Sequence, residues 1–258
     1  MRERGRTSSG GVVAAIGAAL LVIAIAAPLV ALVARGGDLD AATERGLWDA
    51  LGLALWTATL AAGLIVALGT PLAWWLARSE GPLARAVDVV ARVPLITPPT
   101  VAGLALASLL GPGAPLEGLG LHEHEGAVVA AQVFVASPFY VLPLAAAFAS
   151  IDDDLLWSAR SLGASPAKVF ARVCVPLALP ALLAGLGVAW ARAIGELGAT
   201  LVLAPQTSQP PLPLAVHASI AEAPGAARVM ALVLMGVALA VFLILRSRAV
   251  ARGLGGPR

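Results

Sequence analysis

Residues 151–176 read Ile-Asp-Asp-Asp-Leu-Leu-Trp-Ser-Ala-Arg-Ser-Leu-Gly-Ala-Ser-Pro-Ala-Lys-Val-Phe-Ala-Arg-Val-Cys-Val-Pro, and they separate two strongly apolar blocks of the chain. Asp152 or Asp153 can cap a helix here, because a side-chain oxygen accepts from N–H groups that lack a partner within the helix. Gly163 predicts the end of that helix, since glycine adopts the left-handed conformation without a Cβ clash. Ser165-Pro166 then predicts a second short helix that runs to the final Val-Pro pair. The stretch therefore predicts two helices bent at a glycine, a rigid unit suited to a soluble partner.

The composition excludes a soluble domain. The 258 residues are 59% hydrophobic and only 12% charged, with a mean hydropathy of +0.91. Charged residues make up about a quarter of ordinary soluble domains. A net charge of +2 gives no indication of a nucleic-acid partner, and the single cysteine, Cys174, excludes an intrachain disulfide. We therefore expect an all-α integral membrane protein.

Apolar segments predict about six transmembrane helices in a single domain that covers residues 1–258. A helix needs about 20 residues to cross the hydrocarbon core of a bilayer. The first segment exceeds the apolar core of a signal peptide, about 7 to 15 residues, so we expect it to be retained. The predicted spans cover about residues 10–34, 47–77, 94–110, 127–149, 177–204 and 226–245.

The connections between these spans carry the remaining structural predictions. Residues 78–92 hold several charges and predict a short loop, and residues 214–225 predict a surface-lying or re-entrant segment. Pro94, Pro98 and Pro99 cannot all continue a regular helix. The third span should therefore begin irregularly, at a place that is buried in protein or lines a water-filled cavity.

The distribution of basic residues predicts the orientation. With six spans, both termini, residues 78–92 and residues 151–176 lie on one side of the membrane. Cytoplasmic loops are enriched in Lys and Arg, so we expect that side to be the cytoplasm. It carries thirteen of the seventeen basic residues: Arg2, Arg4, Arg6, Arg78, Arg85, Arg92, Arg160, Lys168, Arg172, Arg246, Arg248, Arg252 and Arg258.

No motif in the sequence supports an enzyme. The pattern Gly-x-x-x-x-Gly-Lys-Ser/Thr is absent, and the only lysine, Lys168, lacks that context. The chain therefore lacks a phosphate-binding loop with which to bind ATP itself. The stretch His122-Glu123-His124-Glu125 is more typical of a solvated loop than of a metal site, because adjacent ligands on one short loop cannot all converge on an ion.

Arg192 and Glu196 are the only charges near the middle of a predicted span. Residues four apart share one face of a helix, so we expect the two side chains to pair. Charges at that depth are costly unless they are paired or hydrated, and they often mark a functional site. Two interpretations remain open: the pair lines a translocation path, or it closes a seam between helices or subunits.

The stretch 151–176 resembles the EAA loop of bacterial and archaeal ABC-importer permeases. The resemblance lies in Ser158-Ala159, Gly163 and Val175-Pro176, together with the core Arg160 to Pro166. Trp157 stands where the family has its glutamate, and Asp153 or Asp154 is a possible substitute one turn earlier. We call residues 151–176 the coupling loop, because the resemblance implies that it docks on an ATPase. The implied coupling residues are Asp153, Asp154, Ala159, Gly163, Ala164 and Pro176.

Two further stretches resemble molybdate, tungstate and sulfate permeases of the same family. They are Pro98-Pro99-Thr100-Val101 and the run from Ala191 to Thr200, in which Leu197 replaces the usual phenylalanine. Iron and thiamine permeases have related stretches, so the second motif narrows the substrate only weakly. The resemblance implies a translocation path or helix seam formed by Arg192, Glu196, Thr200, Pro98 and Thr100.

Together these features predict a type I ABC importer permease in the inner membrane of a bacterium or archaeon. Its implied substrates are molybdate-type or tungstate-type oxyanions. We expect no cofactor in this chain, since ATP and Mg would bind to the partner ATPase. Further expected partners are a second copy of the permease in a homodimer, an extracytoplasmic binding protein and membrane lipid. The alternatives are an iron or thiamine permease, a transporter driven by an ion gradient, and a membrane scaffold without substrate.

Overall fold

The computed structural model describes residues 9–121, 125–203 and 209–254. Apart from turns and short connections, this part of the chain is helical. A 3₁₀ turn at Glu117–Leu119 and a π-helical segment at Phe170–Cys174 lie between α-helices. The α-helices are α1 Ser9–Ala34, α2 Leu39–Glu44, α3 Leu47–Arg78, α4 Pro82–Ile96, α5 Pro99–Leu110, α6 Glu125–Ala149, α7 Asp153–Ser161, α8 Pro166–Val169, α9 Val175–Ile194, α10 Gly198–Leu203, α11 Leu212–Glu222 and α12 Pro224–Leu254.

Among the described residues, five helices are long and apolar enough to cross a membrane. They are α1, α3, α6, α12 and the continuous helix that includes α9. The number rises to six if α4 and α5, which are bent by 120° at their junction, count as one broken span. The structure thus agrees with the predicted class of all-α membrane protein with about six spans.

The core lies between α3, α6, α9 and α12. Ala50, Ala54, Ala58 and Ala61 are buried and recur every three or four residues along α3. Small side chains at this spacing let helix backbones approach closely, which favours helix association inside a bilayer. By contrast, the apolar stretch of α1 is not buried against the rest of the chain.

A buried tyrosine fixes the contact between α3, α6 and α9. Tyr140 of α6 is fully buried, and its hydroxyl lies 2.7 Å from the Thr70 hydroxyl of α3. A Cβ at Gly69 would lie 3.1 Å from the Tyr140 ring. On the opposite side, a Cβ at Gly185 of α9 would lie 3.4 Å from the Phe139 carbonyl oxygen. The two glycines therefore let α3 and α9 pack closely against α6.

The connection between α3 and α5 differs from the prediction. We expected a short loop over residues 78–92, but most of this segment belongs to α4, Pro82–Ile96. Arg85, Asp88 and Arg92 are three or four residues apart and share one face of α4. Arg92 donates to Asp88 at 2.8 Å across one turn. The charges indicated a loop, whereas their spacing is that of an amphipathic helix.

Two predicted spans are interrupted in the structure. We expected continuous spans over residues 94–110 and 177–204. The first contains the last three residues of α4 and the whole of α5, whose 12 residues extend about 18 Å and cannot cross a bilayer alone. Its break lies at Thr97–Pro98, within the expected proline-rich start. The second breaks between Ile194, the end of α9, and Gly198, the start of α10.

The coupling loop merges with the following span. We expected its second helix to end before Pro176, but α8, the π-helical segment and α9 form one continuous helix, Pro166–Ile194. The last predicted span, residues 226–245, is also longer, because α12 continues over the basic residues to Leu254. Residues 214–225, predicted to be surface-lying or re-entrant, lie largely in α11.

Candidate functional site

The bend of the coupling loop is a Schellman motif. The Asp152 side chain caps the start of α7 by accepting from the Asp154 N–H at 2.9 Å. At the other end, the Gly163 N–H donates to the Arg160 carbonyl at 2.8 Å and the Ala164 N–H donates to the Ala159 carbonyl at 3.2 Å. Gly163 has a φ of 84°, as this motif requires. Three of the predicted coupling residues therefore form one hydrogen-bonded turn.

The second half of the loop is built by a cap and a proline. The Ser165 hydroxyl accepts from the Lys168 N–H at 3.4 Å, and Pro166 occupies the first turn of α8. The π-helical segment then leads directly into α9, with Pro176 in its first turn. Pro176 has no N–H, so the helix lacks one backbone hydrogen bond at the position where the wider π turn ends.

The coupling loop presents apolar side chains on its surface. Leu162 is 89% exposed and Trp157 is 66% exposed. Leu156 and Val169 point the other way and are buried, so they anchor the loop on the helical bundle. Large exposed apolar side chains on an otherwise polar unit are typical of an interaction surface.

The two predicted acidic coupling residues have different environments. Asp153 forms an ion pair with Arg78 at the end of α3, within the same chain. Asp154 is exposed in the first turn of α7. Both carboxylates are exposed, but only Asp153 is paired with Arg78.

Arg192 and Glu196 form the predicted intramembrane ion pair. Glu196 Oε2 lies 2.6 Å from Arg192 Nη2, in a geometry that is ionic rather than a directed hydrogen bond. Glu196 Oε1 accepts from the Ala199 N–H at 2.8 Å. The Glu196 side chain is 1% exposed, whereas that of Arg192 is 30% exposed. Glu196 thus follows the end of α9, caps α10 and neutralises a more accessible arginine.

The breaks in the two interrupted spans meet at this place. Gly198 at the start of α10 touches Pro99 at the start of α5, so closely that any Cβ on Gly198 would overlap the proline ring. A Cβ on Gly103 would lie 2.7 Å from the Ala199 carbonyl oxygen. Two glycines therefore let α5 and α10 cross with their backbones almost in contact.

The other predicted path residues lie around this crossing in different environments. Pro98 and Thr100 flank the start of α5 and are exposed. Thr200 in α10 is fully buried, and its hydroxyl has no hydrogen-bond partner. The starts of α5 and α10 thus lie together at the crossing, but the Thr100 hydroxyl is on an exposed residue and the Thr200 hydroxyl is buried.

Two polar features of the structure have no signal in the sequence. Arg78 was counted only as a cytoplasmic charge, although its guanidinium is the partner of Asp153. Gln132 of α6 is buried and donates to the Thr57 hydroxyl of α3 at 3.2 Å. Gln132 and Thr57 are 75 residues apart in the chain, so no local pattern could pair them.

Within residues 9–121, 125–203 and 209–254, no group of three or more His, Cys, Asp or Glu side chains could hold a metal ion. Of the stretch His122 to Glu125, which we predicted to form a solvated loop, the first three residues lie outside the described residues, whereas Glu125 begins α6.

Comparisons with known proteins agree on one family. Residues 69–254 match the family described as "Binding-protein-dependent transport system inner membrane component". The chain is 40% identical to the probable molybdenum ABC transporter permease protein of Haloferax volcanii, over 74% of this chain and 71% of that protein. It is 34% identical to the molybdate/tungstate transport system permease protein of Pyrococcus furiosus, over 88% of this chain and 90% of that protein.

A solved structure shares the fold. It is a chain of the MetNI methionine ABC transporter, determined in inward-facing conformations. The TM-score is 0.61 at 16% identity, covering 81% of this chain and 94% of that chain. This likeness confirms the predicted ABC importer permease fold.

Proposed function

The chain belongs to the family of binding-protein-dependent transport system inner membrane components, and we propose that its substrates are oxyanions of the molybdate and tungstate type. Membership makes it a multi-pass permease subunit of an ABC importer rather than an enzyme. It also implies an ATPase subunit and a substrate-binding protein as partners. The substrate proposal is supported by the similarity to two permeases named for molybdenum and for molybdate/tungstate, at 40% and 34% identity.

The coupling loop is the proposed docking site for the ATPase. The observation that carries this proposal is the pair of exposed apolar side chains, Leu162 at 89% and Trp157 at 66%, on a loop held rigid by the Schellman turn. Trp157 replaces the family's glutamate with a large apolar contact, and aromatic side chains often dominate binding energy at interfaces. ATP and Mg would bind on the ATPase, since this sequence has no phosphate-binding loop.

The proposed assembly contains two identical permease chains. A single chain carries one coupling loop and leaves its first span without a buried face, which supports pairing with a second copy. We propose that both termini and the coupling loop face the cytoplasm, and the excess of Lys and Arg on that side supports this orientation. Arg2, Arg4, Arg6 and Arg258, which contribute to that excess, lie outside the described residues.

The proposed translocation path passes the crossing of α5 and α10. Discontinuous helices commonly mark substrate sites in transporters, because their free ends can face a polar solute. Arg192 would face the anion, while Glu196 neutralises most of its charge. An anion would then bind weakly enough to be released, with affinity supplied by the external binding protein. ATP-driven movement of the coupling loops would alternate access to this crossing.

The experiment for this proposal measures ATP hydrolysis by the reconstituted complex of permease, ATPase and binding protein. We expect binding protein loaded with molybdate or tungstate to stimulate hydrolysis. The Arg192→Ala variant should transport less of both anions than Arg45→Ala, a matched control that also removes an ion pair, Arg45–Glu222. Stimulation by iron-loaded or thiamine-loaded binding protein alone would contradict the oxyanion proposal, and gradient-driven uptake without any ATPase would contradict the mechanism.

A further inference from the structure

Arg78, the last residue of α3, joins three separate parts of the cytoplasmic side. Its guanidinium donates to the Phe148 carbonyl at 2.9 Å and to the Ile151 carbonyl at 3.2 Å. It also forms an ion pair with Asp153 in the first turn of α7. One side chain therefore connects the end of α3, the end of α6 and the start of the coupling loop.

An aromatic cluster holds Arg78 in this position. The guanidinium lies 5.0 Å from the centre of the Trp74 ring. Trp74 in turn packs edge-on against Phe148 and Phe170, each at 5.3 Å between ring centres. Phe170 begins the π-helical segment, so the cluster also reaches the second half of the coupling loop. The cation–π contact and the packed rings restrict the rotation of the arginine.

The coupling loop is connected to the helical bundle in two places. One is the continuous helix into α9, which passes through the π-helical segment. A π turn is a rare local irregularity within an α-helix, and it is frequently found at functional sites. The other connection is through α7, whose only fully buried residue is Leu156. Its first turn is connected to α3 by the ion pair between Asp153 and Arg78. Elsewhere α7 is held by the buried Leu156 and the partly buried Ala159, which both pack on the apolar core. Since apolar contacts are not directional, the arginine supplies the directional connection of α7 to the bundle.

We propose that Arg78 is a positioning residue that transmits displacement of the coupling loop to α3 and α6. The proposal rests on the proposed docking of the ATPase on that loop. When the ATPase moves α7, the guanidinium pulls the ends of α3 and α6 with it, so that the bundle moves with the loop. Without Arg78, the ATPase still docks and hydrolyses ATP, but α7 moves without the bundle. Uptake per ATP then falls.

The geometry requires an arginine rather than any cation. The planar guanidinium serves three acceptors in different directions, whereas a lysine ammonium is a compact point charge on a flexible stem. The Arg78 side chain is only 22% exposed, and its Nε is buried without a partner. Lysine at this position would keep the charge but lose the simultaneous contacts.

The test measures labelled molybdate uptake and phosphate release in the same proteoliposomes, with ATPase and binding protein present. Arg78→Gln should lower the ratio of uptake to hydrolysis about tenfold, because all charge-assisted contacts are lost. Asp153→Asn, which removes only a partly exposed ion pair, should lower it about threefold. Arg78→Lys should fall between these values. Arg85→Gln changes an exposed arginine on α4 that donates to the Gly81 carbonyl within its own helix turn, and it should leave the ratio unchanged.

The ratio separates coupling from stability, since a poorly folded permease lowers uptake and hydrolysis together. A wild-type ratio in Arg78→Gln would overturn the inference. If Arg78→Gln does not fold, unchanged ratios in both Arg78→Lys and Asp153→Asn would overturn it. Failure of the proposed function is a different result: the wild-type complex would then bind no ATPase or show no ATP-driven oxyanion uptake.

Discussion

Gly163 offers a sharp test of the coupling loop, because only its backbone conformation matters. Its φ is 84°, and a Cβ there would meet nothing within 4 Å. The Cβ of valine would therefore not clash with its surroundings, and the substitution would act through the cost of the left-handed conformation. That strain is about 1–2 kcal/mol for an ordinary L-residue, and each hydrogen bond lost from the turn adds about 1 kcal/mol.

If the loop relaxes out of the left-handed turn, α7 changes its direction relative to α8. We expect Gly163→Val to weaken binding of the ATPase to the permease about tenfold or more, as a cost of roughly 1.4 kcal/mol or more implies. Gly163→Asn is the matched control, because asparagine tolerates the left-handed conformation at helix ends. The assay is ATPase binding to permease in nanodiscs, followed by uptake per ATP. Wild-type binding and coupling in Gly163→Val would refute the reasoning.

Three further predictions concern the membrane region and the docking surface. Arg192→Ala leaves Glu196 buried without its partner and should lower the free energy of unfolding by about 3 kcal/mol; replacing both residues by alanine should cost less, and a larger loss in the double variant would contradict the pairing. Gly103→Ala forces a methyl group against the backbone of α10 and should destabilise by about 1–3 kcal/mol, whereas Gly63→Ala has free space and should not, as thermal unfolding in detergent can show. Trp157→Ala should weaken ATPase binding by about 2 kcal/mol, and unchanged binding would remove this side chain from the docking surface.

The coupling loop could be predicted almost completely because its signals are local. An aspartate cap, a glycine in the left-handed conformation and a Ser-Pro start each act within four residues. Only the end of the second helix differed, since Pro176 lies within a continuous helix. The π-helical segment just before this proline has no distinct sequence pattern, so the continuous helix could not be predicted.

The interrupted spans and the Arg78 contacts depend on distant residues. The run from Ala191 to Thr200 is compatible with an unbroken helix, but the structure breaks it where Gly198 meets Pro99 of α5. In the same way, nothing around Arg78 indicates that its acceptors lie some 70 residues further along the chain. Such contacts are set by tertiary packing, whereas the pairing of Arg192 with Glu196 was predictable because the two residues are four apart.

The most direct test of the account is uptake of labelled molybdate into proteoliposomes that contain this permease, its ATPase and its binding protein. We predict uptake that requires ATP, is competed by tungstate, and falls to background when the binding protein is omitted. Molybdate uptake that continues without ATP under an imposed ion gradient would contradict the central claim.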